Sequence, residues 1–283
     1  MKAAIEFRKV WYWYEDSIPA LRDVNFAVEE GDWVAIVGQN GSGKTTLAKH
    51  CNGLLKPKRG RVLIYGEDTN ERRVEELART VGYVFQNPDH QIFCPTTLEE
   101  VSFGLRNLGF SREEIEGRAW EALRAFGLEG YASKPPAILG YGLRRKVAVA
   151  AVYAMRPRIM ILDEPDLGLD WGATKRLLEN LNRLHEEGHT IVLITHNMKI
   201  AAGFSQKVLV LHDGEVLTYG PTRGVFKEIE LLEEAALSPP QITRLSRRMI
   251  PCGMRGDSLT VEEFCEEYSR LVVRAKRASS LPR

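Results

Sequence analysis

Short apolar runs separated by glycine-containing turns dominate the first third of the chain. Runs of strand length that are rich in β-branched and aromatic residues lie at residues 4–10, 24–28, 33–37, 61–65 and 81–85. From Thr97 the spacing of apolar positions becomes helical, and Ser111 forms a capping box with Glu114 ahead of a helical stretch at 115–126. The pattern therefore predicts a strand-rich region that is interrupted by a helical insertion.

Strands and helices alternate again after this insertion. Residues 159–162 and 190–194 are continuous apolar runs, and a helical pattern at 174–184 separates them. Uninterrupted apolar strands are typical of a parallel sheet that is buried on both faces. The pair Asp213-Gly214 predicts a hairpin between strands at 207–211 and 215–219. The order of elements indicates an α/β fold.

The C-terminal segment has a different character. After Gly220-Pro221 the sequence becomes helical and then charged, and Ser238-Pro239-Pro240 interrupts it. A final helix is predicted over residues 261–275. We interpret this segment as a separate small appendage to the α/β unit.

Composition and charge exclude several kinds of partner. The 283 residues are 44% hydrophobic, which is enough for a substantial core. Thirty-nine basic and 38 acidic side chains leave a net charge of +1, so no overall attraction to nucleic acid or to an anionic membrane is expected. The four cysteines lack Cys-x-x-Cys spacing, which favours reduced thiols in the cytosol over a zinc site or disulfides.

No stretch of the sequence predicts insertion into a membrane. The longest apolar stretch, residues 147–155, is about half of a membrane span. The N-terminus carries Glu6, Arg8 and Lys9 and lacks the apolar region of a signal peptide. If the protein works at a membrane, we expect other subunits to hold it there.

A glycine-rich run gives the strongest functional signal. It fits the pattern G-x-x-x-x-G-K-[ST] and consists of Gly38, Gln39, Asn40, Gly41, Ser42, Gly43, Lys44 and Thr45, with Thr46 continuing into a predicted helix. The glycines allow successive backbone N–H groups to point at phosphates. Lys44 is expected to reach the β- and γ-phosphates, and the Thr45 hydroxyl to bind Mg²⁺. The run predicts the binding of a nucleoside triphosphate.

Polar residues that follow the apolar strands form a second set of candidates. Asp163 and Glu164 follow one strand and His196 follows the next, at the sheet edge where open α/β folds bind ligands. We expect Asp163 to hold Mg²⁺, Glu164 to orient or deprotonate the attacking water, and His196 to contact the γ-phosphate. Gln86, after a third strand, can contact both the metal and the water. Each of these residues also has an ordinary structural interpretation, and the phosphate loop favours the catalytic one.

In the order of these motifs the chain resembles the ATPase subunit of an ABC transporter over residues 1–228. Within that family, residues 84–93 and the tail segments 239–245 and 259–264 are most similar to the ATPases of energy-coupling factor (ECF) importers for vitamins and transition-metal ions. The resemblance implies a P-loop NTPase fold with a RecA-like parallel sheet, an antiparallel β subdomain and a helical subdomain at about 89–156. It also implies a C-terminal helical extension over 229–283 that serves dimerisation.

The resemblance assigns roles to several further residues. Tyr14 is implied to stack on adenine, although Trp11, Tyr12 and Trp13 leave that assignment open. Asp170, in the loop Gly168-Leu169-Asp170, is implied to reach across a dimer interface to the partner's phosphate loop. The family commonly has Thr or Ser where this chain has Asp166, and the sequence does not explain that difference.

The signature motif departs from the family pattern. The family sequence Leu-Ser-Gly-Gly-Gln aligns with Leu139, Gly140, Tyr141, Gly142 and Leu143, so a serine hydroxyl, one glycine and a glutamine amide are missing. In the family this motif contacts the γ-phosphate bound to the opposite subunit. Loss of one such donor costs about 2.7–4 kcal/mol in the transition state. The missing donors favour a heterodimer with a second ATPase whose signature is intact. The alternative is a homodimer in which backbone donors at Gly140 and Gly142 suffice.

The resemblance therefore implies an enzyme that hydrolyses ATP with Mg²⁺ at the cytoplasmic face of the membrane and powers import of a micronutrient. The implied partners are a second ATPase subunit, a transmembrane coupling subunit and a substrate-binding membrane subunit, without nucleic acid. We expect the groove near Gln86 and the insertion at 89–155 to receive helices of the transmembrane partner. Two alternatives stay open, a soluble ABC-type ATPase that is not linked to transport and a weakly hydrolysing regulatory subunit.

Overall fold

A computed structural model describes residues 2–15 and 18–279 and has the α/β architecture expected from the sequence. The strands of this part of the chain are β1 (Ala3–Trp13), β2 (Pro19–Glu29), β3 (Trp33–Val37), β4 (Arg59–Ile64), β5 (Glu67–Asp68), β6 (Val81–Val84), β7 (Ile159–Asp163), β8 (Thr190–Ile194), β9 (Lys207–His212) and β10 (Glu215–Pro221). Its helices are α1 (Lys44–Cys51), α2 (Val74–Leu77), α3 (Thr97–Leu108), α4 (Arg112–Phe126), α5 (Tyr141–Met155), α6 (Trp171–Glu186), α7 (Met198–Phe204), α8 (Thr222–Val225), α9 (Ile229–Glu234), α10 (Gln241–Arg248) and α11 (Val261–Ser279).

The central sheet has the strand order β10-β9-β3-β8-β7-β6. All neighbouring strands from β9 to β6 run parallel, and β10 returns antiparallel through the predicted hairpin at Asp213-Gly214. Every residue of β3, β7 and β8 is buried, as expected for apolar strands that are covered on both faces. The carboxyl ends of β3, β6, β7 and β8 therefore meet at one edge of the sheet.

A second, antiparallel sheet has the order β2-β1-β4-β5. Its inner face packs against α1, where Phe7 and Leu47 belong to one apolar cluster with Ile36 of the central sheet. Strand β1 runs on to Trp13, beyond the predicted end at residue 10, because bulges let it continue its pairing with β2 and β4. The antiparallel sheet thus covers one side of the helix α1 that follows the glycine-rich run.

The helical insertion comprises α3, α4 and α5. The predicted capping box is present, with the Ser111 hydroxyl accepting from the Glu114 N–H at 3.3 Å and the Glu114 carboxylate accepting from the Ser111 N–H at 2.9 Å. Gly127, at φ 65°, ends α4 in the left-handed conformation. The three helices bury Val101, Leu123 and Val149 in one cluster with the central sheet.

The segment after residue 228 packs directly on the central sheet of the α/β unit. Leu232 and Leu259 share an apolar cluster with Val37 and Val210 of the central sheet. The last helix continues to Ser279 rather than ending at residue 275. The division of the chain at residue 228 stays a prediction. In residues 2–15 and 18–279, no helix combines the length and the apolar character that crossing a bilayer requires.

Candidate functional site

The glycine-rich run connects the end of β3 to the start of α1 by a tight loop. A Cβ at Gly38 would lie 2.2 Å from the Leu211 carbonyl oxygen, and one at Gly43, where φ is 101°, would lie 2.5 Å from the Ala20 carbonyl oxygen. Larger residues are therefore excluded at both positions. Gln39, Asn40 and Gly41 are exposed, whereas Ser42 is buried. The Leu211 and Ala20 carbonyls thus confine the loop on its inner side, and residues 39–41 on its outer side are open to solvent.

Lys44 bends back over this loop. Its ammonium donates to the carbonyl oxygens of Gly38 at 2.9 Å and Gln39 at 2.6 Å. Burial lowers the pKa of Lys44, and the negative charges of Glu164 and Asp163 oppose that shift. The side chain thus places a positive charge within the concave face of the loop, next to two carboxylates.

Asp163 ends β7 directly beside the phosphate loop. Its Oδ2 accepts hydrogen bonds from the Thr45 hydroxyl at 2.8 Å and from the Tyr83 hydroxyl at 3.2 Å, whereas Oδ1 is buried without a hydrogen-bond partner. Burial raises the pKa of the Asp163 carboxyl, and the two donors oppose that shift. A buried, half-satisfied carboxylate beside a threonine hydroxyl has the chemistry of a magnesium ligand.

Glu164 brings together the remaining predicted residues. Its Oε2 accepts from the Gln86 amide at 2.8 Å, and its Oε1 lies 3.0 Å from His196 Nδ1. The Glu164 side chain is nearly buried at 8% exposure, while that of His196 is 47% exposed. Three strand ends thus converge on a single carboxylate, which is where an attacking water can be held.

Tyr14 lies on the other side of the phosphate loop. Its ring is half exposed, and its hydroxyl is 3.1 Å from the Thr46 hydroxyl. Tyr12 points inward and is buried, packing edge-on against Tyr14, whereas Trp13 lies against the Arg59 guanidinium. Of these three aromatic rings, that of Tyr14 is tied to the nucleotide-loop helix and open to solvent.

The altered signature lies at the start of α5. Gly140 is the residue before α5, and the ring of Tyr141 packs so closely on Gly168 that a Cβ there would approach it to 2.7 Å. The neighbouring Leu139 is buried and Leu143 partly buried, and Gly142 faces the Gly168 carbonyl oxygen. Asp170 caps α6 by accepting from the Ala173 N–H at 2.7 Å, so that α6 begins at Trp171 instead of at residue 174.

Asp166 has a structural contact that the sequence did not explain. Its Oδ1 lies 3.4 Å from the Thr195 hydroxyl, which donates to it across the ends of β7 and β8. Tyr83 and Arg145 were also missed by sequence analysis. Tyr83 contacts Asp163 from the adjacent strand, and Arg145 donates to the backbone carbonyl of Glu164. The signal available in the sequence was a tyrosine inside the apolar run at 81–85, and Arg145 stands in a basic stretch that gives no sign of burial.

A buried histidine supports the phosphate-loop helix from behind. His50 Nδ1 donates to the Thr46 carbonyl at 2.7 Å, its Nε2 is buried without a partner, and the Tyr12 ring packs against it. Burial lowers the pKa of His50 to about 4 from the ordinary 6.5. The folded chain therefore keeps this ring neutral at a pH at which an unfolded chain would protonate it.

We expect this histidine to make the nucleotide-free protein acid-sensitive. Because the folded pKa lies below the unfolded one, its contribution to stability is complete above pH 6.5 and declines as the pH falls towards 4, by about 3 kcal/mol in total. Urea unfolding at pH 7 and pH 5 measures the effect, and His50→Gln should flatten the difference. An equally steep loss in the variant would assign the acid sensitivity to other groups.

These features together define a P-loop nucleotide hydrolase, since a glycine loop, its lysine, a buried aspartate and a glutamate that contacts Gln86 and His196 share one sheet edge. Residues 21–167 match the family model described as ABC transporter. The chain belongs to that family of ATP-binding domains, and it is an ATPase.

Relatives and solved structures agree with this membership. The chain is 41% identical over 271 residues to the energy-coupling factor transporter ATP-binding protein EcfA of Methanothermobacter thermautotrophicus, covering 95% of this chain and 87% of that protein. It is 49% identical over 245 residues to an ABC transporter ATP-binding protein of Caldanaerobacter subterraneus subsp. tengcongensis, covering 87% of this chain but 43% of that protein's length. The solved structure of cbiO1 from Clostridium perfringens, part of the ABC transporter complex cbiONQ, matches with a TM-score of 0.73 and 33% identity over 88% of this chain and 100% of that one.

Proposed function

We propose that this chain is the ATPase subunit of an energy-coupling factor importer for a micronutrient, a vitamin or a transition-metal ion. The observation that carries the hydrolytic part of the proposal is the convergence of Gln86, Glu164 and His196 beside the phosphate loop. The similarity to EcfA and to cbiO1 supports the transporter class. In this proposal the protein works at the cytoplasmic face of the membrane, as a peripheral subunit.

Mg²⁺ fits the residues around Asp163. Among residues 2–15 and 18–279 no cluster of three or more His, Cys, Asp and Glu side chains could hold a metal, so nucleotide phosphates would have to complete the coordination. Thr45 Oγ1, the unpartnered Asp163 Oδ1 and the amide oxygen of Gln86, whose nitrogen donates to Glu164, are the ligands that this chain offers. An Mg²⁺ ion held by these residues together with ATP would supply positive charge to the phosphate groups.

The other side chains of this site bind the phosphates, accept the proton of the attacking water and orient that water. Lys44 exchanges its bonds to the Gly38 and Gln39 carbonyls for bonds to the β- and γ-phosphates, and the loop from Gly38 to Thr46 binds the phosphate chain through backbone N–H groups. Glu164 accepts a hydrogen bond from the attacking water and takes up its proton. His196 and Gln86, which both contact Glu164, orient that water and the γ-phosphate.

The altered signature favours an asymmetric dimer. Tyr141 places a ring where the family has glycine, and that ring is packed on Gly168. In the proposed heterodimer, a second ATPase with an intact signature completes the site built on Lys44 and Glu164. The reciprocal site, which would use residues 139–143 and Asp170 of this chain, is slow or serves only to hold nucleotide.

A groove on the insertion fits the transmembrane coupling subunit. It has a volume of about 730 Å³ and lies beside the Gln86 loop, lined by Phe85, Gln91, Phe93, Phe103 and Met155 among others. Phe93 is 64% exposed and packs edge-on against Phe103. Apolar side chains exposed in a groove suit an amphipathic helix of a partner. A separate membrane subunit would select the transported substrate.

The test of this function is the ATPase rate of the chain alone against the chain mixed with a homologous subunit that carries an intact signature. A large rise on mixing is expected, because only the mixed dimer completes the Lys44 site. Equal, robust rates without a partner would show instead that Gly140 and Gly142 suffice in a homodimer. No turnover in either sample would favour the alternative of a weakly hydrolysing regulatory subunit. Purification of the chain from cells without membrane subunits would favour a soluble ATPase that is not linked to transport.

A further inference from the structure

A fully buried arginine lies outside the recognised motifs but contacts two of them. Arg145 belongs to α5, one turn after Tyr141, and its exposure is 0%. Its Nη1 donates to the backbone carbonyls of Phe85, at 2.7 Å, and of Gln86. Its Nη2 donates to the backbone carbonyl of Glu164. One side chain thus joins the helix that begins at the altered signature to the loop that carries Gln86 and to the loop that carries Glu164.

The burial of this charge is costly if the residue only fills space. The acceptors of its hydrogen bonds are neutral carbonyls, and burial lowers the pKa of Arg145. A buried guanidinium pays a desolvation cost that an apolar side chain of similar volume avoids. Its planar donors can, however, hold several carbonyl groups in a fixed relative position, which an apolar side chain cannot do.

The contact at Glu164 falls on a strained part of the backbone. Glu164 has a φ of 49°, in the left-handed region that non-glycine residues occupy only when their surroundings hold them there. This conformation aims the carboxylate at the Gln86 amide and at His196. The donor from Arg145 reaches the carbonyl oxygen of this same residue, so it favours the strained conformation over the relaxed one.

We propose that Arg145 is a positioning residue for ATP hydrolysis, which holds Glu164 and Gln86 in the relative geometry that the attacking water requires. The same side chain couples that geometry to the position of α5, whose first residue packs on Gly168 in the loop that the proposed dimer would place at its interface. The inference rests on the proposed function. Because Arg145 contacts backbone carbonyls at the water site, its loss changes kcat and leaves the affinity for nucleotide unchanged.

The test compares wild type, Arg145→Met and Arg145→Lys in the mixture with an intact-signature subunit, with Arg124→Met at an exposed position of α4 as the matched control. We expect Arg145→Met to lower kcat by about 10-fold to 100-fold, the effect of a small misplacement of reacting groups. The KM for ATP and the affinity for ADP should stay within about twofold of wild type. Arg145→Lys should recover part of kcat, since an ammonium can replace some of the donors.

Unchanged kcat in Arg145→Met would overturn the proposal, and so would a parallel loss of ADP affinity. If Arg145→Met does not fold, Arg145→Lys and Arg145→Gln decide by the same split between kcat and affinity. Failure of all three variants to fold would show that Arg145 serves folding and would also reject the positioning role. An inactive wild-type mixture would reject the proposed function itself, and the positioning role with it.

Discussion

Replacing Glu164 with glutamine is expected to lower the rate of ATP hydrolysis in the proposed mixed dimer by about 100-fold or more. The amide keeps the shape of the side chain but cannot take a proton from the attacking water. Its bonding to Gln86 and His196 is also disturbed, because a carboxylate oxygen that accepts in the wild type becomes an NH₂ group that donates. ATP should still bind, since Glu164 does not belong to the phosphate loop.

Steady-state phosphate release measures this effect, and equilibrium titration with ATP shows that the site is still filled. Glu116→Gln, at an exposed position of α4, is a matched control that should keep the wild-type rate. Undiminished turnover in the Glu164 variant would remove this residue from the proposed mechanism and would place hydrolysis in the reciprocal site of the dimer.

Replacing Lys44 with alanine is expected to weaken ATP binding by about 100-fold, because the proposed charge-assisted bonds to two phosphates are lost. The rise in ATPase rate on mixing with the partner subunit should disappear as well. The fold should be retained, because burial disfavours the charged form of Lys44 and its removal therefore relieves a desolvation cost.

Calorimetric titration with ATP tests this second prediction, and thermal unfolding verifies that the variant is folded. Lys49→Ala, on the same helix and of the same charge, serves as the control and should bind ATP normally. Wild-type affinity in Lys44→Ala would contradict the assignment of the glycine loop as the phosphate site.

The sequence predicted the placement of strand-end residues better than it predicted their contacts. Gln86, Glu164 and His196 come together because parallel strands end at one edge, and that rule needs only the order of elements. The contact of Tyr83 with Asp163 depends on the register between β6 and β7, which the apolar pattern of two fully buried strands does not fix.

Contacts of the helical insertion were still harder to predict. Arg145 and Tyr141 lie on α5, and their partners lie in loops that are distant in sequence. Helical periodicity indicates which face of a helix is buried, but it does not indicate which loop that face meets. The start of α6 shifted for a local reason, since Asp170 supplies the cap and lets the helix begin before the apolar pattern does.

The contacts of Lys44 with its own loop bear on what the site rejects. The Lys44 ammonium donates to the Gly38 and Gln39 carbonyls, so these two carbonyls compete with any incoming anion for the ammonium. An anion that makes one weak contact would exchange two good hydrogen bonds for one, so we expect it to bind poorly. A triphosphate can also bond to the backbone N–H groups of the loop, and we expect it to displace the two carbonyls. Because the same two bonds tie Lys44 to residues 38 and 39, we expect them also to restrict the motion of the loop between turnovers. Selectivity for polyphosphates and readiness for the next nucleotide would then have a common origin.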